Sequence, residues 1–221
     1  MGTVGDYSGQ LVPGSGQAER RDGALLVRKL SVGLMDNNVY VVADTHAGVG
    51  FVIDAAAEPD RIRAASEDLE TIAVLQTHGH EDHVRAWDDL AREPGLEVWG
   101  HAGDADLFPH EPDRLLQHGE VLPFGAFEVE VIHTPGHTPG SLVYLVRADE
   151  RPHLFTGDSL FPGGPGNTWG DEERFRLLMD GLKEKVFGQL PDETWVYPGH
   201  GDDTTLGDER PSIPEWEERG W

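Results

Sequence analysis

Four short apolar runs in this chain each end in a turn that carries histidine or aspartate, and the densest of these turns is LQTHGHEDHV, Leu75 to Val84. It sets His78, His80, Asp82 and His83 directly after IAVLQ (72–76), which reads as a strand. The other three turns hold His137 in HTPGHTPGS, Asp158 in FTGDSLF and His200 in VYPGHGDD. Crowded imidazoles are unfavourable unless something positive sits between them. Glycine or proline in each turn suits a metal site, because it fixes donor direction and lets backbone approach an ion closely.

The seven donors exceed the four of a single tetrahedral site. They fit two ions sharing a bridging carboxylate, an arrangement that lowers the pKa of bridging water and generates hydroxide at neutral pH. No other nucleophile competes. The chain has no cysteine, and Ser141 and Ser159 lack the nucleophile-elbow pattern. The same absence rules out disulfides and cysteine-ligated zinc, so nitrogen and oxygen must hold any metal. Two divalent ions are expected, zinc first, with iron and manganese also accepting such donors.

Strands and helices interleave around these turns. Strand-type runs occupy 24–32, 38–44, 48–57, 72–76, 96–101, 127–137, 140–146, 153–161 and 194–200, and helical spacing marks 58–69, 82–92 and 172–190. This is an α/β chain, read as one domain over 24–221 after an extended or partly disordered arm at 1–23. No apolar run approaches the ~20 residues of a membrane span, and no signal peptide is visible, so the expected place is the cytoplasm. A formal charge of −24 argues against nucleic acid as a partner. The expected partner is a small-molecule substrate, and oligomeric state is left open.

The motif THGHEDH resembles the His-x-His-x-Asp-His signature of the metallo-β-lactamase superfamily, and the three later turns complete that family's ligand set in order over roughly 25–205. The resemblance implies a four-layer αββα sandwich with the site at one edge. It implies that His78, His80 and His137 bind a first metal, that Asp82, His83 and His200 bind a second, and that Asp158 bridges them. Within the superfamily, GDSLF and PGHG resemble the glyoxalase II branch of thioester hydrolases. True β-lactamases lack the bridging aspartate, so antibiotic hydrolysis is not implied. Two departures set glutathione recognition apart from thioester cleavage. Only 21 residues follow His200, and PGGPGNTWG stands where the family carries a Gly-Cys-Gly-Arg-type loop. The stretches GDYSGQLVPGSG and SVGLMDNNVY, with only three lysines among 17 basic residues, resemble small actinobacterial S-formylmycothiol hydrolases, which implies mycothiol as carrier.

A thioester also suits the chemistry, because a thiolate of conjugate-acid pKa about 8.5 leaves with little help. No dedicated acid is evident for a poorer leaving group such as a lactone's; Asp82, once protonated, or a pocket tyrosine could serve. The rival readings are a mononuclear iron persulfide dioxygenase, using His78, His137 and Asp158, and a metal-dependent lactonase. Outside the seven, His46, His101, His110, His118, His133 and His153 read as surface or packing residues, and Asp104 and Asp106 as a solvated loop. Trp169, Phe161 and the 163–166 loop are equally a substrate mouth or packing. Asn37 and Asn38 suit a site rim or a turn, and Arg20, Arg21 and Arg174 are candidates for an anionic carrier.

Overall fold

A computed structural model of the chain describes residues 7, 9–12 and 14–220. Strands β1 (Gln17–Asp22), β2 (Leu25–Val32), β3 (Asn37–Asp44) and β4 (Val49–Ile53) form an antiparallel meander. Helix α1 (Pro59–Ser66) then carries the chain over, so that β5 (Glu70–Leu75) lies parallel to β4. Two single-turn helices, α2 (Glu81–Val84) and α3 (Trp87–Leu90), lead to β6 (Glu97–Gly100) and the short β7 (Arg114–Leu115), both parallel additions. The result is a seven-stranded sheet in sequence order.

The second sheet begins with the antiparallel strands β8 (Val121–Phe124), β9 (Phe127–His133), β10 (Leu142–Arg147) and β11 (Pro152–Gly157). A small hairpin, β12 (Leu160–Phe161) with β13 (Gly164–Pro165), precedes α4 (Glu172–Gly181). Then β14 (Trp195–Pro198) pairs parallel to β11, and β15 (Thr204–Thr205) closes the edge before α5 (Leu206–Glu209) and α6 (Ile213–Arg219).

Side-chain alternation decides the layering. Tyr40 and Val42 of β3 point into one core with Tyr144 of β10 and Phe155 of β11, so the two sheets pack face to face. Val39 and Val41 point the other way, against Ile62 of α1 and Trp87 of α3. On the far side, Val143 and Leu145 meet Leu178 of α4 and Trp216 of α6. The architecture is thus helix, sheet, sheet, helix, which agrees with the expected αββα sandwich. Strands covered on both faces favour apolar sequence; β2 and β3 are buried throughout, and the polar residues Arg28, Lys29, Asn37 and Asn38 among them are buried with hydrogen-bond partners.

Several boundaries differ from the sequence reading. Gln17–Asp22, within the stretch read as an arm, is an edge strand on β2; its QAERRD sequence has no apolar alternation to mark it. The helix expected over 82–92 breaks between Val84 and Trp87, where the Ala86 N–H donates to Ala55 O at 2.9 Å instead of back along the helix. The helix expected over 172–190 is α-helical to Gly181 and continues in π-helical turns over Leu182–Phe187. The strand expected over 48–57 stops at Ile53, because Asp54 turns to φ 65°. Among the described residues, no helix is long and apolar enough to cross a membrane.

Candidate metal centre

Parallel pairing brings the functional turns together. Ile53 of β4 lies opposite Leu75 of β5, so Asp54 leaves its strand beside Thr77 and His78. Gly157 of β11 lies opposite Pro198 of β14, so Asp158 and His200 emerge from neighbouring strand ends. His137 arrives on the connection between β9 and β10. At Gly199 the packing leaves no room for a side chain, since a Cβ would lie 2.8 Å from His83 Cε1 and closer still to Asp158 Oδ1. All seven predicted donors meet at this edge. They form three overlapping groups: His78, His80 and His137; His78, His83 and Asp158; Asp82, His83 and His200.

The outer ring nitrogens settle which lone pairs face inward. His83 Nδ1 donates to Asp54 Oδ2 at 2.8 Å, His137 Nδ1 to Asn167 O at 2.9 Å, and His200 Nδ1 to Met35 O at 3.0 Å. The Thr77 hydroxyl donates to Asp54 Oδ2 at 2.8 Å and therefore accepts from His78 Nδ1, 3.0 Å away. With those protons outside, each Nε2 presents a lone pair to the centre. There His137 Nε2 is 3.0 Å from His80 Nδ1, and His83 Nε2 is 3.2 Å from His200 Nε2. His78 Nε2 and Asp158 Oδ1 are buried without any hydrogen-bond partner. Buried nitrogen and carboxylate oxygen left without partners at this edge call for cations, and the donor set fits divalent metal.

Asp158 sits between the groups. Its oxygens are 3.4 Å from His83 Nε2, 3.5 Å from His137 Nε2 and 3.6 Å from His200 Nε2. Burial would raise its carboxyl, but the imidazoles, His83 foremost, hold it far below the usual carboxylate range. Burial would likewise raise Asp82, and the His200 hydrogen bond with the His83 charge holds it low. Burial pushes His78 well down and His137 down to about 4. Burial would lower His83 as well, yet Asp158 and Asp54 carry it up. The centre therefore favours ionised carboxylates and positive charge beside them, with His78 and His137 held neutral and His83 and His200 drawn toward the charged form by the carboxylates.

Two carboxylates unmarked by the sequence reading organise the turns. Asp54, buried, takes Thr77 N–H at 2.7 Å as well as the Thr77 hydroxyl and His83. Asp104, read as part of a solvated loop, is instead fully buried. It accepts from Gly79 N at 2.8 Å, the Thr138 hydroxyl at 2.7 Å and Gly140 N at 2.6 Å, clamping the His78–His80 turn to the His137 turn. A single aspartate in a turn carries no local signal for either role.

The rim residues divide. Asn37 donates to Asp82 Oδ2 at 2.8 Å, and Asn38 holds Pro198 O and Gly201 O, both at 2.9 Å. Buried Lys29 donates to Gly9 O, Gly201 O and Asp203 and fixes the same loop. Trp169 lies 5.5 Å from His80 and 5.3 Å from His137, and Phe161 lies 6.4 Å from His200, between ring centroids. Arg174 donates to Gly136 O and His137 O, which commits it to backbone. Arg20 stacks on Trp195 and Tyr7 at the end of β14 opposite His200, and Arg21 is exposed beside Glu19. His101 and His133 stack on each other, His110 pairs with Asp88, and His153 is buried against Tyr197.

Comparisons with known proteins bear on the family and the fold. Residues 32–200 match the family model described as the metallo-β-lactamase superfamily. Hydroxyacylglutathione hydrolase GloC of Haemophilus influenzae is 35% identical over 184 residues, covering 74% of this chain and 85% of that protein. The crystal structure of TTHA1623 in a di-iron-bound form superposes with a TM-score of 0.68 at 30% identity, over 85% of this chain and 98% of that one. ETHE1 from Myxococcus xanthus superposes with a TM-score of 0.71 at 28% identity, over 85% and 83%.

Proposed function

The chain belongs to the metallo-β-lactamase superfamily, and on that premise we propose that it hydrolyses the thioester of a low-molecular-weight thiol with two divalent metal ions, zinc first among them. His78, His80 and His137 would hold one ion, Asp82, His83 and His200 the other, with Asp158 shared. The observation that carries this reading is the place of Asp158, whose carboxylate lies within 3.4 to 3.6 Å of histidine nitrogens from both sets. When bound, such ions supply an activated water at neutral pH and polarise a carbonyl oxygen.

The chain's own residues do the rest. Ser141 and Ser159 are buried and hydrogen-bonded to Thr138 and Thr134, so neither is free to attack a substrate. Water is the nucleophile that remains. Asp54, Asn167 and Met35 hold the protons of the outer nitrogens away from the reacting centre. Asn37 keeps the Asp82 oxygen turned inward, and no separate proton donor is needed for a thiolate that leaves as the anion. The likeness to the hydroxyacylglutathione hydrolase of H. influenzae supports the thioester class. Iron-dependent persulfide oxygenation by His78, His137 and Asp158 alone would leave His80, Asp82, His83 and His200 without a metal to hold.

The test is thiol release from a panel of S-formyl, S-acetyl and S-lactoyl esters of glutathione, mycothiol and coenzyme A, with metal-loaded and chelated protein. Rapid release that a chelator abolishes is expected, and the panel ranks carrier and acyl group. No release, with oxygen uptake on persulfides, would overturn the hydrolase reading.

A further inference from the structure

Trp169 stands in the connection between β13 and α4 with its backbone in the left-handed region, φ 55°. Bulky L residues rarely sit there. Its neighbour Gly170 is also left-handed, φ 73°, so this turn already employs glycine where glycine fits best. The turn is secured by the Asn167 side chain, which accepts the Trp169 N–H at 2.7 Å, and by Thr168 O, which accepts from Asp171 N at 3.1 Å. Packing does not account for a tryptophan at this position, because 56% of its surface is open.

What the indole borders is the metal centre. It lies 5.5 Å from His80 and 5.3 Å from His137, with the Arg174 guanidinium 4.7 Å from its ring. On the other side, Met35, whose carbonyl fixes His200, is exposed at the β2–β3 turn beside fully open Leu34. Apolar surface next to a buried polar centre is the usual make-up of a substrate site. Arg174, the cation nearest the indole, already donates to Gly136 O and His137 O and does not offer an anion its guanidinium edge.

Resting on the thioester reading, we propose that Trp169 is a specificity-determining residue whose open indole packs against an apolar, non-reacting group of the substrate, carried by the acyl chain or by the thiol. The reacting carbonyl stays at the metal centre, and the apolar group lies along the wall beside His80 and His137. Trp169 touches no proton that moves. Its effect is on which thioesters bind productively.

The test takes metal-loaded wild type, Trp169→Phe and Trp169→Gly through two substrate series. One holds the thiol constant and lengthens the acyl group from acetyl to octanoyl and benzoyl. The other holds acetyl constant and enlarges the thiol's apolar part. In wild type, kcat/KM is expected to climb with apolar size in one series. Trp169→Gly should lose about tenfold or more at the large end, chiefly through KM, and less than about threefold for the smallest ester. Trp169→Phe should restore most of it. Glycine suits the left-handed backbone, so fold and metal content should persist, and both are measured. A change confined to the acyl series identifies the acyl chain, and one confined to the thiol series identifies the carrier. Unaltered size dependence in both series, or an equal loss of kcat on every ester, would overturn the inference. Silence of the wild type on all esters would instead sink the thioester reading, and this inference with it.

Discussion

Asp54→Asn separates the two things that a buried carboxylate does at this site. Asp54 Oδ1 accepts from Thr77 N at 2.7 Å, and Oδ2 accepts from the Thr77 hydroxyl and from His83 Nδ1, both at 2.8 Å. An asparagine has one acceptor oxygen and must choose. If that oxygen stays with Thr77 N, the amide N–H faces His83 Nδ1, whose proton moves to Nε2 and blocks the inner lone pair. The Thr77 hydroxyl then turns its own proton toward His78 Nδ1, 3.0 Å away, and the same inversion reaches the first histidine group. If the amide flips, both imidazoles keep their tautomers, but a buried N–H meets the Thr77 N–H. Either outcome costs about 1–3 kcal/mol. In the first it appears as roughly 5- to 150-fold weaker metal binding, and in the second as lower stability of the metal-free fold. Calorimetric zinc titration of metal-free protein and urea unfolding of the same sample read the two outcomes separately. A variant within about twofold in affinity and about 0.5 kcal/mol in stability would refute the tautomer argument.

If two ions share Asp158 as proposed, Asp158→Ala should abolish turnover and lower the metal content below that of wild type, checked by elemental analysis; full turnover would exclude a shared carboxylate. Gly199→Ala drives a methyl into Asp158 and His83, so metal content and activity should fall by more than about 100-fold while the protein stays folded by circular dichroism. Asp104→Ala leaves two buried N–H groups and the Thr138 hydroxyl without their acceptor, and urea unfolding of the metal-free protein should register a loss of about 3 kcal/mol or more. His153, with 1% of its surface exposed, is pushed down to about 4 by burial. Between about pH 4 and 6.5 the unfolded chain binds the proton that folded His153 refuses. Its share of stability is therefore whole above about 6.5 and lost as pH falls through about 4, a change of roughly 3 kcal/mol. Unfolding free energies of wild type and His153→Gln across that range should diverge in slope.

Much of this was legible in the chain because the decisive features are local. Apolar runs such as VYVVA in β3 and IAVL in β5 announce their strands, and the donors follow β5, β9, β11 and β14 within a few residues. The edge strand β1 escaped notice because its only constraint is pairing with β2, which places no apolar demand on QAERRD. Asp54 and Asp104 escaped for a different reason. Asp54 gains its meaning only when β4 and β5 align in parallel, and Asp104 only when the short helix at 102–104 meets the turn at 138–140. Before those long-range contacts exist, each is an ordinary turn aspartate.

The same two carboxylates explain why the donors are aimed before any ion arrives. Asp104 joins the turn of His78 and His80 to that of His137, so the first group is set by backbone clamps that bypass the imidazoles. Asp54 works through the rings themselves, orienting His83 directly and His78 by way of the Thr77 hydroxyl. The second group adds Asn37 on Asp82 and Met35 O on His200. The clamps bring ring nitrogens together, at 3.0 Å between His80 and His137 and 3.2 Å between His83 and His200. In the metal-free fold protons bridge these nitrogens, and cations must displace them, so metal binding and proton release are coupled at this edge of the sandwich.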